Sequence, residues 1–224
     1  MTPKAVLREL EALGSEQTRK TYRRHGVSGA QYGVLYAPLG KIAKRLKTDH
    51  ELARGLWASG NHDARILATM IADPAAMTAS ELDKWVADAD NYVLADALAG
   101  LASRTPVARK KMEKWTRSTH EWVGRIGWAI LARLAMSDST LTDADFDSYL
   151  AEIERRIHGS RNRIRDAMNM AVIAIGLRGG PFEKKAVAAA KRIGKVEVDH
   201  GETGCKTPDA VEYINKVKGR GKPA

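Results

Sequence analysis

The chain has little of what a β-rich or secreted protein needs. Only 6% of its 224 residues are aromatic, and strand-like alternation is confined to residues 195–199. Because β-sheets prefer β-branched and aromatic side chains, this composition predicts an all-α protein. Cys205 is the single cysteine, which excludes an internal disulfide framework and suits a reducing cytosol. A signal peptide and an apolar run of about 20 residues are also missing, so we expect a cytoplasmic protein with no membrane partner.

Signatures of the common catalytic and cofactor-binding motifs are missing as well. The sequence contains no P-loop, GxGxxG, Ser-His-Asp or HExxH pattern. Residues 199–206 hold four potential metal ligands, but their spacing matches no familiar zinc pattern. We therefore predict that the protein needs neither a metal nor an organic cofactor.

Positive charge, by contrast, is abundant and unevenly distributed. The formal net charge is +10, with a sequence pI of about 9.7. Residues 19–24 and 41–47 are basic blocks without an acid, and residues 104–125 carry seven basic residues against two acidic ones. Recurring basic blocks are typical of a scaffold that follows a phosphate backbone, which predicts a nucleic-acid partner. A solvated surface, or an adaptor for an acidic protein, is the alternative.

Helix start and stop signals divide most of the chain into helices of 10–16 residues joined by short loops. Thr2-Pro3 predicts the first helix, Ser15 and Asp49 cap later ones, and Ser160 is expected to cap a helix from Arg163. Residues 61–68 and 119–126 look alike, with a cap, a histidine, an acid and then an arginine. We therefore predict an all-α curved solenoid of antiparallel HEAT-like repeats, with a non-repeating helical bundle as the alternative. Residues 1–194 would form one domain, on which a turn, a short helix and a basic tail (195–224) pack.

Tyr92 and Asp96 are the most informative residues. They lie four apart in a helical pattern, so a ring and a carboxylate project side by side. A lone acid beside an aromatic ring, on a protein that attracts anions, suits chemistry on a cationic centre within a polyanion. An alkylated base in DNA fits that description.

Five segments, in this order and spacing, resemble the DNA alkylation repair glycosylases built from HEAT-like repeats, the AlkD-type proteins. The resemblance covers about residues 21–193. Its segments are YRRHG at 22–26, the loop and helix start at 33–44, HDAR at 62–65, NYVLAD at 91–96 (the family's Asn-Trp-x-x-x-Asp helix), and residues 115–125.

The resemblance implies an enzyme that grips duplex DNA and hydrolyses the N-glycosidic bond of cationic N3- or N7-alkylated purines. Members act with the lesion still in the duplex rather than in a pocket. A monomer acting on alkylated duplex DNA is the expected form.

Individual roles also follow from the resemblance. Asp96 takes the position of the catalytic carboxylate, and Tyr92 that of the first catalytic tryptophan. Arg125 corresponds to an arginine that contacts the DNA backbone, and Tyr22 to an aromatic near the lesion. Met170 stands where the second tryptophan is expected. This departure leaves open a non-catalytic relative that binds distorted or branched DNA.

Two further groups are judged from the sequence alone. Arg161, Arg163 and Arg165 cluster at a predicted helix start, where phosphate binding is favoured, so we add them to the candidate DNA-binding residues. Trp122 and Trp128 lie at helical spacing in an apolar run, which predicts core positions.

Overall fold

The computed structural model describes residues 1–137 and 141–220, and in these residues the regular structure is entirely helical. A short 3₁₀ turn, Ile157–Gly159, precedes the eleventh of the α-helices. In chain order, the helices are α1 (Pro3–Leu13), α2 (Glu16–Arg24), α3 (Tyr36–Leu46), α4 (His50–Ala58), α5 (His62–Ile71), α6 (Ala79–Ala87), α7 (Tyr92–Ala102), α8 (Ala108–Trp115), α9 (Glu121–Ser137), α10 (Asp143–Arg156), α11 (Asn162–Leu177), α12 (Pro181–Ile193) and α13 (Ala210–Arg220).

Side-chain caps explain most of the helix starts. Thr2, Ser15, Asp49 and Asn91 each accept a hydrogen bond from a backbone amide in the first turn of the following helix. Such caps satisfy amides that the helix itself leaves without a partner. The starts predicted from Thr2, Ser15 and Asp49 are therefore confirmed.

Two predicted helix starts are wrong in detail, and the one strand-like run forms no strand, as the all-α prediction expects. A proline is favoured in the first turn of a helix, so Pro38 predicts a start there, but α3 begins two residues earlier, at Tyr36. Ser160 does not cap α11; its hydroxyl donates to the Arg156 carbonyl at 2.9 Å, and Arg161 occupies the cap position without a side-chain bond. Residues 195–199, the strand-like candidate, adopt no regular structure.

The chain forms two compact units, whose boundary falls within α8. The first comprises residues 1–109 with 201–203. In it, α5 packs against α3, α4 and α7, and its apolar residues are almost all buried. Trp57 of α4 and Trp85 of α6 stack with parallel rings, their centroids 4.2 Å apart. This packing fixes α3 and α7, the two helices that carry Tyr36 and Tyr92.

The second unit comprises residues 110–200 and the chain from 204 onward. Helix α11 packs against α9, α12 and α13. Trp128 on α9 is fully buried, which confirms its predicted core position, whereas Trp122 is half-buried. Phe146 and Phe182 meet edge to face at 5.0 Å across α10 and α12.

Candidate nucleic-acid interface

Tyr92 and Asp96 lie on the same face of α7, as the four-residue spacing predicts, and both are half-buried. Leu94 and Leu98 occupy the buried face of this helix. The Tyr92 hydroxyl and Nδ1 of His25 form a hydrogen bond, and the two rings meet edge to face with centroids 5.8 Å apart. The end of α2 therefore holds the Tyr92 ring beside Asp96.

Tyr36, at the start of α3, is a member of this group that the sequence does not reveal. It keeps 46% of its surface exposed. Burial of its hydroxyl, followed by the negative charge of Asp96, raises the pKa of Tyr36 to about 12. Asp63 and Tyr92 contribute in the same direction. Asp96 therefore has two tyrosines, Tyr36 and Tyr92, in its electrostatic neighbourhood.

Asp63 fixes the loop that leads to Tyr36. This carboxylate is fully buried and accepts hydrogen bonds from the backbone amides of residues 32–34 at 2.7, 3.1 and 2.8 Å. Gly33 adopts φ 78°, and a Cβ there would come within 2.6 Å of the Ser15 carbonyl oxygen. The Asp63 hydrogen bonds and the close approach at Gly33 hold this loop against α5 and α2. Leu35 and Tyr36, which follow it, face the solvent.

Tyr22 does not face the solvent, in contrast to its expected position near a lesion. Only 8% of its surface is exposed, and its hydroxyl donates to the Val34 carbonyl at 2.5 Å. Its ring lies edge-on to the buried ring of His62 at 5.3 Å. Burial raises the pKa of the Tyr22 phenol well above its usual value. Tyr22 therefore supports the loop below Tyr36 and cannot stack on a base in this conformation.

His62 itself is buried with both ring nitrogens lacking a hydrogen-bond partner. Burial lowers the pKa of this imidazole, with Asp63 acting in the opposite direction. We therefore infer a neutral ring at pH 7.

In the second unit, Arg125 is buried rather than presented to a ligand. Its exposed fraction is 7%, and its Nη1 donates to Asp166 at 2.7 Å and to the Arg163 carbonyl at 3.3 Å. Removing one partner from a buried pair of this kind typically costs ~3–5 kcal/mol. The resemblance implies that Arg125 contacts the DNA backbone. Such a contact would require the Arg125–Asp166 pair to open, or the guanidinium to bind Asp166 and a phosphate together.

The three clustered arginines occupy different environments. Arg165 donates to the carbonyls of Glu197 at 2.8 Å and Ser160 at 3.0 Å, so its guanidinium anchors the segment that follows α12. Arg163 is half-buried, and its backbone amide donates to the Glu121 carboxylate at 2.8 Å. Of the three, Arg161 alone is exposed. Arg161 therefore faces the solvent, whereas Arg163 and Arg165 take part in the packing of the second unit.

Met170 is on the outer side of α11, with 39% of its surface exposed. Within the described parts of the chain, no three side chains of the His, Cys, Asp or Glu type come together as a metal site. In the same residues, none of the helices is long and apolar enough to cross a bilayer.

The family is shown by a match that spans nearly the whole chain. A model of the DNA alkylation repair enzyme family matches residues 6–214. The chain therefore belongs to this family, which confirms the resemblance found in its sequence.

Its relatives are similar over their full lengths. Uncharacterized protein Lin0241 of Listeria innocua is 33% identical over 218 residues, covering 95% of each chain. Uncharacterized protein Lmo0209 of Listeria monocytogenes is 32% identical over 220 residues, covering 96% of each.

One solved structure is similar to nearly all of the fold. It is described as a new family of proteins related to the HEAT-like repeat DNA glycosylases with affinity for branched DNA structures. That chain is 35% identical and matches with a TM-score of 0.91 over 99% of this chain and 95% of its own. The predicted all-α, HEAT-like repeat fold is therefore confirmed.

Proposed function

We propose that this protein binds branched or distorted DNA, and that Leu35 and Tyr36 form an apolar wedge that enters where base stacking is interrupted. The observation that carries the proposal is their joint exposure, 60% for Leu35 and 46% for Tyr36, on a loop held by Asp63. Proteins that bind bent or kinked DNA insert apolar side chains between unstacked base pairs. A tyrosine ring also offers a stacking surface for an unpaired base, typically worth ~1–3 kcal/mol.

The charge around this wedge suits a phosphate backbone. Arg24 lies at the end of α2, and Lys41 and Lys44 lie on α3, all of them exposed. A branch point brings more than one backbone close to the same surface, which favours a protein of high positive charge. The affinity of the 35% identical solved relative for branched DNA supports the same conclusion.

The test compares a four-way junction with a linear duplex of equal length. Both are labelled with a fluorophore and titrated with the protein at a fixed salt concentration, because affinities for DNA depend on salt. We expect the junction to bind at least about tenfold more tightly, which corresponds to ~1.4 kcal/mol. Equal dissociation constants for the two substrates would contradict the proposal.

A second function, cleavage of alkylated purines, is favoured by the position of Asp96. A carboxylate beside two tyrosines can stabilise the positive charge that develops on deoxyribose as the glycosidic bond breaks. Aromatic faces contribute ~0.5–2 kcal/mol each to such a cation. The base is already cationic and leaves readily, so little general acid is required. The sequence resemblance aligns Met170, a polarisable thioether, with the family's second tryptophan, which predicts slow turnover.

Release of free 7-methylguanine and 3-methyladenine from alkylated duplex DNA, followed by chromatography, tests this second function. Replacing Asp96 by Asn should lower the release rate by about 10²-fold or more, the usual effect of removing a group that stabilises transition-state charge. Junction binding by the same variant serves as the folding control. Equal release by the wild type and Asp96→Asn would exclude Asp96 as the catalytic carboxylate.

A further inference from the structure

We infer that a cleft in the second unit, lined by Arg155, Arg156 and Arg161, binds one phosphate group of the DNA backbone. Ser118, Thr119, Gly159, Ser160 and Ile164 complete its lining, and the cleft encloses about 430 Å³. The inference rests on the proposed DNA binding for the source of the phosphate. It adds a site distant in sequence from Tyr36 and Asp96.

Close packing at Gly124 builds one wall of this cleft. A Cβ at Gly124 would lie 2.6 Å from Ile164 Cδ1 and 2.9 Å from the Ser118 carbonyl oxygen. The missing side chain therefore lets the segment around Ser118 approach the start of α11. The Ser118 hydroxyl accepts a hydrogen bond from the His120 amide at 3.1 Å, which keeps this segment in a tight turn.

The opposite wall is formed by the turn between α10 and α11. The Ser160 hydroxyl donates to the Arg156 carbonyl at 2.9 Å, and Nη1 of Arg156 donates to the Thr116 carbonyl at 3.4 Å. Arg156 thus connects the two walls through its own side chain. Arg161 follows Ser160 directly and is exposed at the mouth of the cleft.

The cleft has a surplus of positive charge. Glu152 pairs with Arg155 at 2.7 Å and with Arg156 at 2.6 Å, and hydrogen bonds from these two arginines lower the pKa of Glu152. Its carboxylate therefore stays ionised and balances one of the three guanidinium groups. Among the described residues, the lining itself contains no acid, and the Glu121 carboxylate accepts the Arg163 backbone amide at 2.8 Å.

Phosphate is the anion that this lining suits best. Guanidinium groups bind phosphate oxygens in a bidentate manner, and the hydroxyls of Ser118 and Thr119 can donate to the remaining oxygens. Positioning contacts of this kind, from arginine and hydroxyl side chains, make up a large part of protein–DNA interfaces. An apolar ligand would leave the positive charge that Glu152 does not balance without a counter-ion.

The test uses Arg161→Gln and Arg155→Gln, with Lys184→Gln as the control. Lys184 is exposed on α12, is not part of the cleft lining, and loses the same single charge. Binding to the four-way junction is measured at several salt concentrations. Losing one phosphate contact should reduce the slope of log K against log salt by about 0.7–0.9. We expect this reduction for Arg161→Gln, a smaller one for Arg155→Gln, and almost none for Lys184→Gln.

Arg161→Lys separates charge from geometry, since lysine keeps the charge but loses the planar fork of donors. We expect it to bind more weakly than the wild type, by about two- to fivefold, with a nearly unchanged salt slope. If all three glutamine variants lower the affinity and the slope equally, general surface charge explains the binding and the phosphate site is wrong.

A second measurement keeps the inference testable if the wild-type protein fails to bind DNA. Inorganic phosphate is added at matched ionic strength, with chloride as the reference, and the melting temperature is recorded. The cleft predicts stabilisation of the wild type and of Lys184→Gln by phosphate, and its loss in Arg161→Gln. Equal responses of all three proteins, including no response, would overturn the phosphate site independently of the proposed function.

Discussion

Asp63 is the residue on which the position of the wedge depends most. Its buried carboxylate accepts three backbone amides from residues 32–34, the segment directly before Leu35 and Tyr36. Hydrogen bonds to a charged group typically contribute ~1.5–3 kcal/mol, and a buried donor without a partner is costly. A single carboxylate from α5 therefore satisfies three consecutive amides of the loop.

We predict that Asp63→Asn destabilises the protein by ~2–4 kcal/mol, because the amide has one acceptor oxygen and directs an NH₂ group at backbone donors. Urea denaturation measures the change. Asp73→Asn is the matched control, since within the described residues the Asp73 carboxylate accepts one amide, that of Ala75, at 2.9 Å near the surface. A loss no larger than that of the control would mean that the loop is held by other contacts.

His62 predicts a dependence of stability on pH. Burial lowers its pKa in the folded state below the ordinary value of 6.5. Below about pH 6.5, the unfolded chain therefore binds a proton that the folded protein does not, and stability falls as the pH falls. Above about pH 7 both states are neutral, so His62 contributes no pH dependence there.

Melting temperatures of the wild type and His62→Phe between pH 5 and 7.5 test this. Phenylalanine keeps a ring against Tyr22 but removes the titrating group, so the variant should lose less stability on acidification than the wild type. His120→Gln, a change at an exposed histidine, should leave the wild-type profile unchanged. Parallel profiles for the wild type and His62→Phe would exclude the buried imidazole as the cause.

The sequence predicted the positions of some site residues but not of others. The helical spacing of Tyr92 and Asp96 correctly placed them on one face of α7, because i and i+4 positions always share a face. Tyr36 joins them only through the packing of α3 and α7 around α5, a long-range contact with no local pattern. The burial of Tyr22 and Arg125 was unpredictable for the same reason. The sequence does not distinguish an arginine or tyrosine that faces the solvent from one that is buried against another helix.

Among the properties of the helices, their starts were the most predictable. Thr2, Ser15, Asp49 and Asn91 act within their own first turn, so the signal is local and the boundaries follow. Ser160 is also a serine, but its hydroxyl donates backward to the Arg156 carbonyl, across the 3₁₀ turn that precedes it. A cap residue therefore predicts a helix start only where the preceding turn does not compete for its hydroxyl.

Two helical glycines give opposite predictions. Gly40, inside α3, has no atom within 4 Å of an added Cβ, whereas a Cβ at Gly127 in α9 would lie 2.5 Å from the Thr116 amide nitrogen. We expect Gly40→Ala to stabilise the protein by ~0.5–1 kcal/mol, since alanine is the better helix former. Gly127→Ala should destabilise it by ~1–3 kcal/mol through overpacking. Urea denaturation of both variants checks the signs, and equal signs would contradict the close packing of α9 on the segment that follows α8.

At the scale of the whole molecule, composition alone indicated the fold class and the kind of partner. The scarcity of aromatic residues predicts an all-α fold, and the net charge of +10 predicts a polyanionic partner. The family match over residues 6–214 supports both conclusions. Composition cannot separate catalysis from binding, since that distinction depends on a few side chains such as Asp96 and Met170. The prediction that residues 1–194 fold as one domain stays a prediction.

The wedge distinguishes shape recognition from general attraction to DNA. If charge alone determined binding, the affinities for a junction and for a duplex would differ only because their local densities of phosphate differ. A wedge adds a contact that only unstacked bases can accept. Removing the wedge should therefore affect the preference for branched DNA far more than the affinity for duplex.

The most direct measurement is the ratio of duplex to junction dissociation constants for the Leu35→Ala/Tyr36→Ala double variant. Leu13→Ala, which truncates another exposed apolar side chain, is the control. We predict that the double variant keeps its duplex affinity within about twofold while its ratio falls from about ten towards one, a loss of ~1.4 kcal/mol. A double variant that prefers the junction as strongly as the wild type does would contradict the role of Leu35 and Tyr36.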